Sequence, residues 1–376
     1  MNRPRPLHAR LLDGVSDVAA EQWNALLATG DAPVLDWHWL RALEEGTASA
    51  ARDWRAAHVA LFEGAALLAV CPLYVRTGAD GEFVWSGAIA QACGEAGLPF
   101  GPRGVSTIPA TPIAGRRILT GPSLERADGI ALIGQALLEL MGAEGLASVG
   151  LHFCTQDEVD VLLRSGWVLR RQWQYHWEND GFATFDDFLG TFSSKRRASI
   201  RRERRELAEA GVRVEFVAGD SAPDALFAQA ARVYADTARR HGTPPLIDPG
   251  FFTAIADTPL RPRLLLGVAR DPEGVCGVTF NVRSGDALFG RTWGAVRPHR
   301  FLHFEAAYYA AIEWCIANGI QRFEPGHGGE YKLARGFGAV PVQSIHRFAD
   351  RRLHAAIHAW AEQERSWVDQ RIDERQ

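Results

Sequence analysis

The chain has 376 residues, 47% of them hydrophobic and 23% charged, and a net charge of −4, an ordinary globular composition with room for two domains. That balance excludes a whole-protein attraction to nucleic acid or anionic membrane. Five scattered cysteines without a CxxC pair exclude a disulfide framework or structural zinc site and fit a reducing cytoplasm. The opening MNRPRPLHARLLDGVSD has no continuous apolar core of a secretory signal. The longest apolar run, AALLAVCPLYV, is too short for a membrane-spanning helix.

In chain order, DWHWLRALEEG (36–46) predicts a helix. WRAAHVALF (54–62), ALLAVCPLYVR (66–76) and GEFVWSG (81–87) predict a three-strand meander. IALIGQALLELMGAEG (130–145) follows as a helix, ASVGLHFC (147–154) as a strand, QDEVDVLLRSG (156–166) as a helix and WVLRRQWQYHWEN (167–179) as a long strand. In that strand Trp173, Tyr175 and Trp177 share one face and read as core, with His176 on the other face.

The second half repeats the order. PDALFAQAARVYADTARRHG (223–242) is a helix; RLLLGVAR (263–270), GVCGVTFNVR (274–283) and ALFGRTWGAV (287–296) are strands joined by the turn sequences DPEG and SGD. FEAAYYAAIEWCIANG (304–319) is a helix ending at Gly, IQRFEPG (320–326) a strand, YKLARGFG (331–338) a short helix and PVQSIHRF (341–348) a strand. Alternation of helix and sheet predicts an α/β or α+β layered fold of two domains, 1–180 and 181–376, with the active cleft in the second.

Of 41 basic residues, two are lysine, Lys195 and Lys332. Lysine is a compact, titratable point charge and arginine is not, so both lysines mark candidate sites. FSSKRRASIRRERRELAEAG (192–211) predicts a helix capped by Ser193 or Ser194. Between Lys195 and Arg205 it holds seven cations and one Glu. Lys195, Arg196 and Arg197 crowd the end where the helix dipole disfavours cations. An anion held there, a phosphate or carboxylate, would explain them, with Arg201 and Arg205 further along; a solvated basic helix is the alternative. Around Lys332, the glycine-rich RFEPGHGGEYKLARGFG lets the backbone approach a ligand closely. Glu324, His327, Glu330, Tyr331 and Lys332 are candidate acids, bases and charge stabilisers, with Arg335 one turn on. In ALFGRTWGAV, simple alternation puts Phe289, Arg291 and Trp293 on one face, as a cation–π sandwich or an anion-gripping wall. Glu305 suits the start of the next helix, and His303 reads as a loop histidine. No GxGxxG, P-loop, HExxH or G-x-S-x-G occurs, and no metal is expected.

The element order in each half resembles the GNAT acyltransferase fold, in which two central strands splay and the acyl donor enters the gap. PLYVRTGADGEFVW, PATPIAGRRIL, QWQYHWENDGFATFDDFLGTFSSKRRASIRRER, GRTWGAV, LHFEAAYYAAIEWCIANGIQRFEPG and GEYKLARGF resemble the FemAB-like proteins of that superfamily over nearly the whole chain. The resemblance implies two tandem GNAT-like domains with mixed, mostly antiparallel sheets, and transfer of an acyl group from an activated ester or thioester to an amine. The alternatives are a Fem-type aminoacyltransferase using aminoacyl-tRNA, acting on a peptidoglycan precursor or small metabolite, and a non-catalytic binding protein. In the Fem resemblance, Tyr331, Lys332 and Gly336 match a Tyr-Lys pair followed by Gly, and Lys332 binds an anion or steadies a tetrahedral intermediate. Tyr331 stands where the FemAB-like pattern has His, as a general acid. RPHRFLHFEAA replaces the glycine-rich loop of acetyl-CoA users, which leaves acyl-CoA, a carrier-protein thioester or aminoacyl-tRNA open as co-substrate. The expected acceptor is a small-molecule or peptide amine.

Overall fold

The computed structural model describes residues 6–46, 53–78, 86–109, 111–240 and 247–374. The chain forms two compact units. One comprises Met1–Glu44, Ala51–Trp173 and Pro341–Glu374; the other Glu45–Ala50, Gln174–Val340 and Arg375–Gln376. Where the sequence places one boundary after residue 180, the units divide at 173/174, and residues 341–374 belong to the first unit. The return has an apolar cause. The helix Arg351–Asp373, which the sequence reading passed over, buries Leu353, Ile357 and Ala361 with Ile89, Cys93 and Phe348 of the same unit.

In the first unit, β1 (Leu7–Leu12), β3 (His58–Glu63), β4 (Ala66–Cys71) and β7 (Leu119–Thr120) form one sheet in the order β1-β3-β4-β7. A second sheet runs β2 (Trp54–Ala56), β5 (Tyr74–Arg76), β6 (Arg103–Ser106), β8 (Ser148–His152) and β15 (Gly338–Phe348, from Pro341). The expected strands 54–62 and 66–76 each divide between these sheets, the first at Ala57 and the second at Pro72 and Leu73. Proline lacks the amide that a ladder needs, so the second break has a local reason. The expected strand at 81–87 lies, for residues 81–85, outside the described residues, and Gly87 opens the helix Gly87–Glu95.

In the second unit the order is β10 (Arg213–Ala218), β11 (Leu264–Asp271), β12 (Gly274–Ser284), β13 (Ala287–Ala295), β14 (Arg322–Glu324) and β9 (Val168–Glu178, from Gln174). β11, β12 and β13 are the expected antiparallel meander. β13 and β14 run parallel, pairing at Ala287–Arg322, Leu288–Phe323 and Phe289–Glu324. Beyond Phe289, β13 continues for six residues, whereas β14 stops at Glu324. The two strands therefore part.

A second irregularity matters more. Asn281 pairs with Gly290, but Phe280 pairs with Thr292 and Thr279 with Trp293. Arg291 is the extra residue of a β-bulge, and an insertion of one residue exchanges the two faces of everything after it. The expected common face of Phe289, Arg291 and Trp293 is overturned. Phe289 shares a side with Val282, and Trp293 lies on the other side with Thr279 and Asn281. Gly294 faces the helix Asp224–Arg240 so closely that a Cβ would lie 2.5 Å from Val233, while Trp293 stacks on His303 at 5.5 Å.

Candidate functional site

Where β13 and β14 part, the second unit holds a cavity of about 210 Å³. β12 and β13 supply Thr279, Asn281, Gly290, Arg291 and Trp293; the helical segment after β13 supplies His303 and Tyr308; the loop after β14 supplies Gly326, His327, Tyr331 and Lys332. The loop can turn into the cavity because Gly326, Gly328 and Gly329 all take positive φ, between 76° and 88°. Such angles are strained for residues with a Cβ. The chain then enters the short 3-10 helix Glu330–Arg335, closed by Gly336 at φ 84°.

Lys332 is 1% exposed. Its Nζ donates to the Gly326 carbonyl at 2.6 Å, so it is anchored to the turn that presents it. Burial pushes its ammonium down to about 7, because a low-dielectric wall disfavours the charged form. Burial, and secondarily Lys332, also lowers His327. His303 falls to about 4 by burial, then Lys332 and Arg335. Both imidazoles are therefore neutral near pH 7. Tyr308 donates to Tyr331 Oη at 3.3 Å, and its oxygen lies 3.3 Å from His303 Nε2. Tyr331 is 43% exposed, so its hydroxyl is reachable from the solvent side, while burial raises the Tyr308 hydroxyl.

Of the residues singled out in the sequence, Arg291, Trp293, His327, Tyr331 and Lys332 line this one cavity. Glu324, Arg335 and His176 lie behind the wall. Glu324 is buried, 3.1 Å from Arg322 and 3.7 Å from His176. Burial, then Arg322 and Lys332, lowers His176 to about 3. Arg335 is buried over the Phe304 ring at 3.4 Å and donates to the Tyr331 carbonyl. Glu330 is exposed and does not line the cavity.

The basic helix goes elsewhere. Ser194–Glu209 is capped by Ser193, whose hydroxyl accepts from the Arg196 amide. Lys195 is exposed and Arg196 half-buried, and neither lines the cavity. Arg201, Arg204 and Arg205 line a separate groove of about 820 Å³. Their charge is largely matched: Arg201 pairs with Asp186, Arg204 with Glu305 and Glu313, and Arg205 with Glu209. Glu305 belongs to this groove, gripped by Arg204 through both oxygens. Anion binding along the helix thus competes with carboxylates already in place.

The sequence reading missed Tyr308, Thr279 and Asn281 and dismissed His303. A signal existed for two of them: Asn281 interrupts an apolar strand, and Tyr308 follows His303 by five residues on one helical segment. The Asp271, Cys276 and His299 donors lie within 4.8 Å of one another. However, Arg297 holds both oxygens of Asp271, which leaves that carboxylate engaged by a cation rather than disposed to bind another.

The second unit thus sets parted parallel strands over a polar cavity in a layered mixed fold. The FemAB-like family, described as peptidoglycan biosynthesis/recognition, matches residues 14–376, and the chain belongs to it. Among solved structures it is similar to FemX, with TM-score 0.52 and 11% identity over 91% of this chain and 98% of that one. L-PGS from Bacillus licheniformis gives 0.52 and 12%, over 89% and 98%. The C-terminal domain of a putative lysylphosphatidylglycerol synthetase from Agrobacterium fabrum gives 0.53 and 12%, over 90% and 94%. At such identities the likeness establishes the fold. None of the curated proteins matches the chain. Among the described residues no helix is long and apolar enough to cross a membrane.

Proposed function

We propose that the protein moves an acyl or aminoacyl group from an activated ester or thioester onto an amine, with the chemistry in the 210 Å³ cavity. The observation that carries this reading is Lys332, a buried amine lowered to about 7 and fixed where two parallel strands separate. A group that titrates near the working pH is suited to proton transfer. The amine nitrogen attacks the carbonyl carbon; a C–N bond forms and the C–O or C–S bond breaks. The proton lost by the amine goes to Lys332 or His327, both of which line the cavity. Tyr331, which accepts from Tyr308, gives its proton to the departing oxygen or sulfur. Glu324 and Arg335 hold this wall from behind.

For the donor, an aminoacyl ester is favoured over acyl-CoA by one feature. The helical segment after β13 carries Glu305, held by Arg204, where a pyrophosphate would need backbone amides and no carboxylate. The Agrobacterium fabrum structure is named for a putative lysylphosphatidylglycerol synthetase, a name that itself carries an aminoacyl group. The test is thermal stabilisation by acetyl-CoA, CoA and a bulk charged tRNA pool, with wild type beside Lys332→Arg, since a ligand of the folded state must raise the midpoint. Stabilisation by charged tRNA is expected, reduced in Lys332→Arg. Stabilisation by CoA instead would replace the donor, and none from any of the three would contradict the reading.

A further inference from the structure

The bulge that reverses the faces of β13 leaves Arg291 as its extra residue, between the pairs Asn281–Gly290 and Phe280–Thr292. Bulges commonly re-aim one side chain beside a site, and Arg291 lines the 210 Å³ cavity. Arg291 and Lys332 line that cavity, and among the described residues no Asp or Glu does so. Burial lowers Arg291 to about 10, offset in part by Tyr234 and Glu324; Glu324 is itself paired with Arg322 at 3.1 Å. Thr279, Asn281 and Tyr308 add neutral hydrogen-bonding groups to the wall. The wall is therefore polar, and Arg291 is its standing cation. Its volume is below that of a site for a drug-sized ligand, so it suits a group about the size of an amino acid.

We infer that the part of the substrate lodged in this cavity bears a carboxylate, which the Arg291 guanidinium holds while the reacting carbonyl lies toward Lys332 and Tyr331. The guanidinium fork matches a carboxylate through two parallel hydrogen bonds, which an ammonium cannot reproduce. The inference rests on the proposed transfer reaction and names its substrate class. The carboxylate can belong to the amine acceptor, as in an amino acid or peptide end, or to the acyl group.

Two product analogues separate these sources: N-acetylglycine, with the carboxylate on the amine side, and N-methylsuccinamate, with it on the acyl side. Calorimetric binding of each is compared with that of its terminal amide, on wild type, Arg291→Gln and Arg291→Lys, with Arg300→Gln on the exposed surface as control. One carboxylate is expected to bind, its amide at least about tenfold more weakly, and Arg291→Gln to lose about tenfold to a hundredfold, as for a charge-assisted hydrogen-bonded pair. Arg291→Lys should fall between, which shows that the charge and not the fold has been tested. Equal binding of acid and amide, undiminished binding by Arg291→Gln, or no carboxylate binding up to about 10 mM would overturn the inference. The donor measurement above is read on the same wild-type protein. Donor stabilisation without carboxylate binding sinks this inference and leaves the transfer reaction standing; the reverse sinks the transfer reaction and leaves the anion site.

Discussion

Glu203 and Arg335, on two separate helices, form an ion pair at 3.5 Å with each side chain 7% exposed. Tyr309 donates to the same Glu203 carboxylate at 2.7 Å. Glu203 is the one acid among the seven cations that run from Lys195 to Arg205, and it is the member turned inward. Through it the basic helix holds the short helix that carries Lys332. Glu203→Gln keeps the shape and removes the charge, leaving a buried guanidinium without its counter-ion. A loss of about 2–3 kcal/mol is expected in urea denaturation, with a larger drop in any activity that needs Lys332. An unchanged midpoint would mean that the pair does not anchor the loop.

Lys332 makes stability depend on pH in the direction opposite to a salt-bridged lysine. Its folded value, about 7, lies below the unfolded value of about 10.4. Between these the unfolded chain binds more protons, so the Lys332 contribution is most unfavourable below pH 7 and the penalty is relieved as pH rises toward 10. Wild type minus Lys332→Met should gain up to about 1.4 kcal/mol per pH unit across that window. A pH-independent difference would contradict the burial of a titrating amine.

Tyr331→Phe removes the proposed proton donor to the leaving group and nothing from the core, since Tyr331 is 43% exposed. Turnover with a poor leaving group should fall about a hundredfold or more, while the melting midpoint stays near that of wild type. Tyr308→Phe should reproduce part of this loss, because Tyr308 donates to Tyr331. Equal turnover in both variants would remove the tyrosines from the reaction.

Gly336 ends the Lys332 helix at φ 84°, and a Cβ there would lie 2.5 Å from the buried Phe188 ring. Left-handed strain and overpacking act together, so Gly336→Ala should cost about 2–4 kcal/mol. Thermal or urea unfolding decides it, and a neutral effect would mean that the ring has room to move.

Much of the fold was legible in the sequence. The β11–β13 meander was marked by DPEG and SGD turns, and the long apolar helices by their period. The loop bearing Lys332 was found because a lysine among arginines, beside glycines, is chemically conspicuous. What failed was whatever depends on register or distant partners. No periodicity reveals that Arg291 is an inserted residue, so Trp293 was placed on the wrong face. Nor does the sequence reveal that Arg201 and Arg204 meet Asp186, Glu305 and Glu313, which come from elsewhere in the chain. The split of residues 54–76 between two sheets likewise depends on tertiary pairing. The helix Arg351–Asp373 is absent from the sequence reading although its buried residues, Leu353, Ile357, Ala361, Val368 and Ile372, recur at helical spacing.

With two lysines in the chain, one spectrum can test the central claim that Lys332 is the titrating amine of the site. Protein carrying 13C,15N-lysine should give two side-chain signals, assigned with Lys195→Arg. The account predicts that the Lys332 signal titrates near 7 and moves when the stabilising donor is added, while exposed Lys195 does not respond to the donor. Titration of Lys332 near 10.4, the value of a solvated lysine, together with no response to any donor, would contradict it.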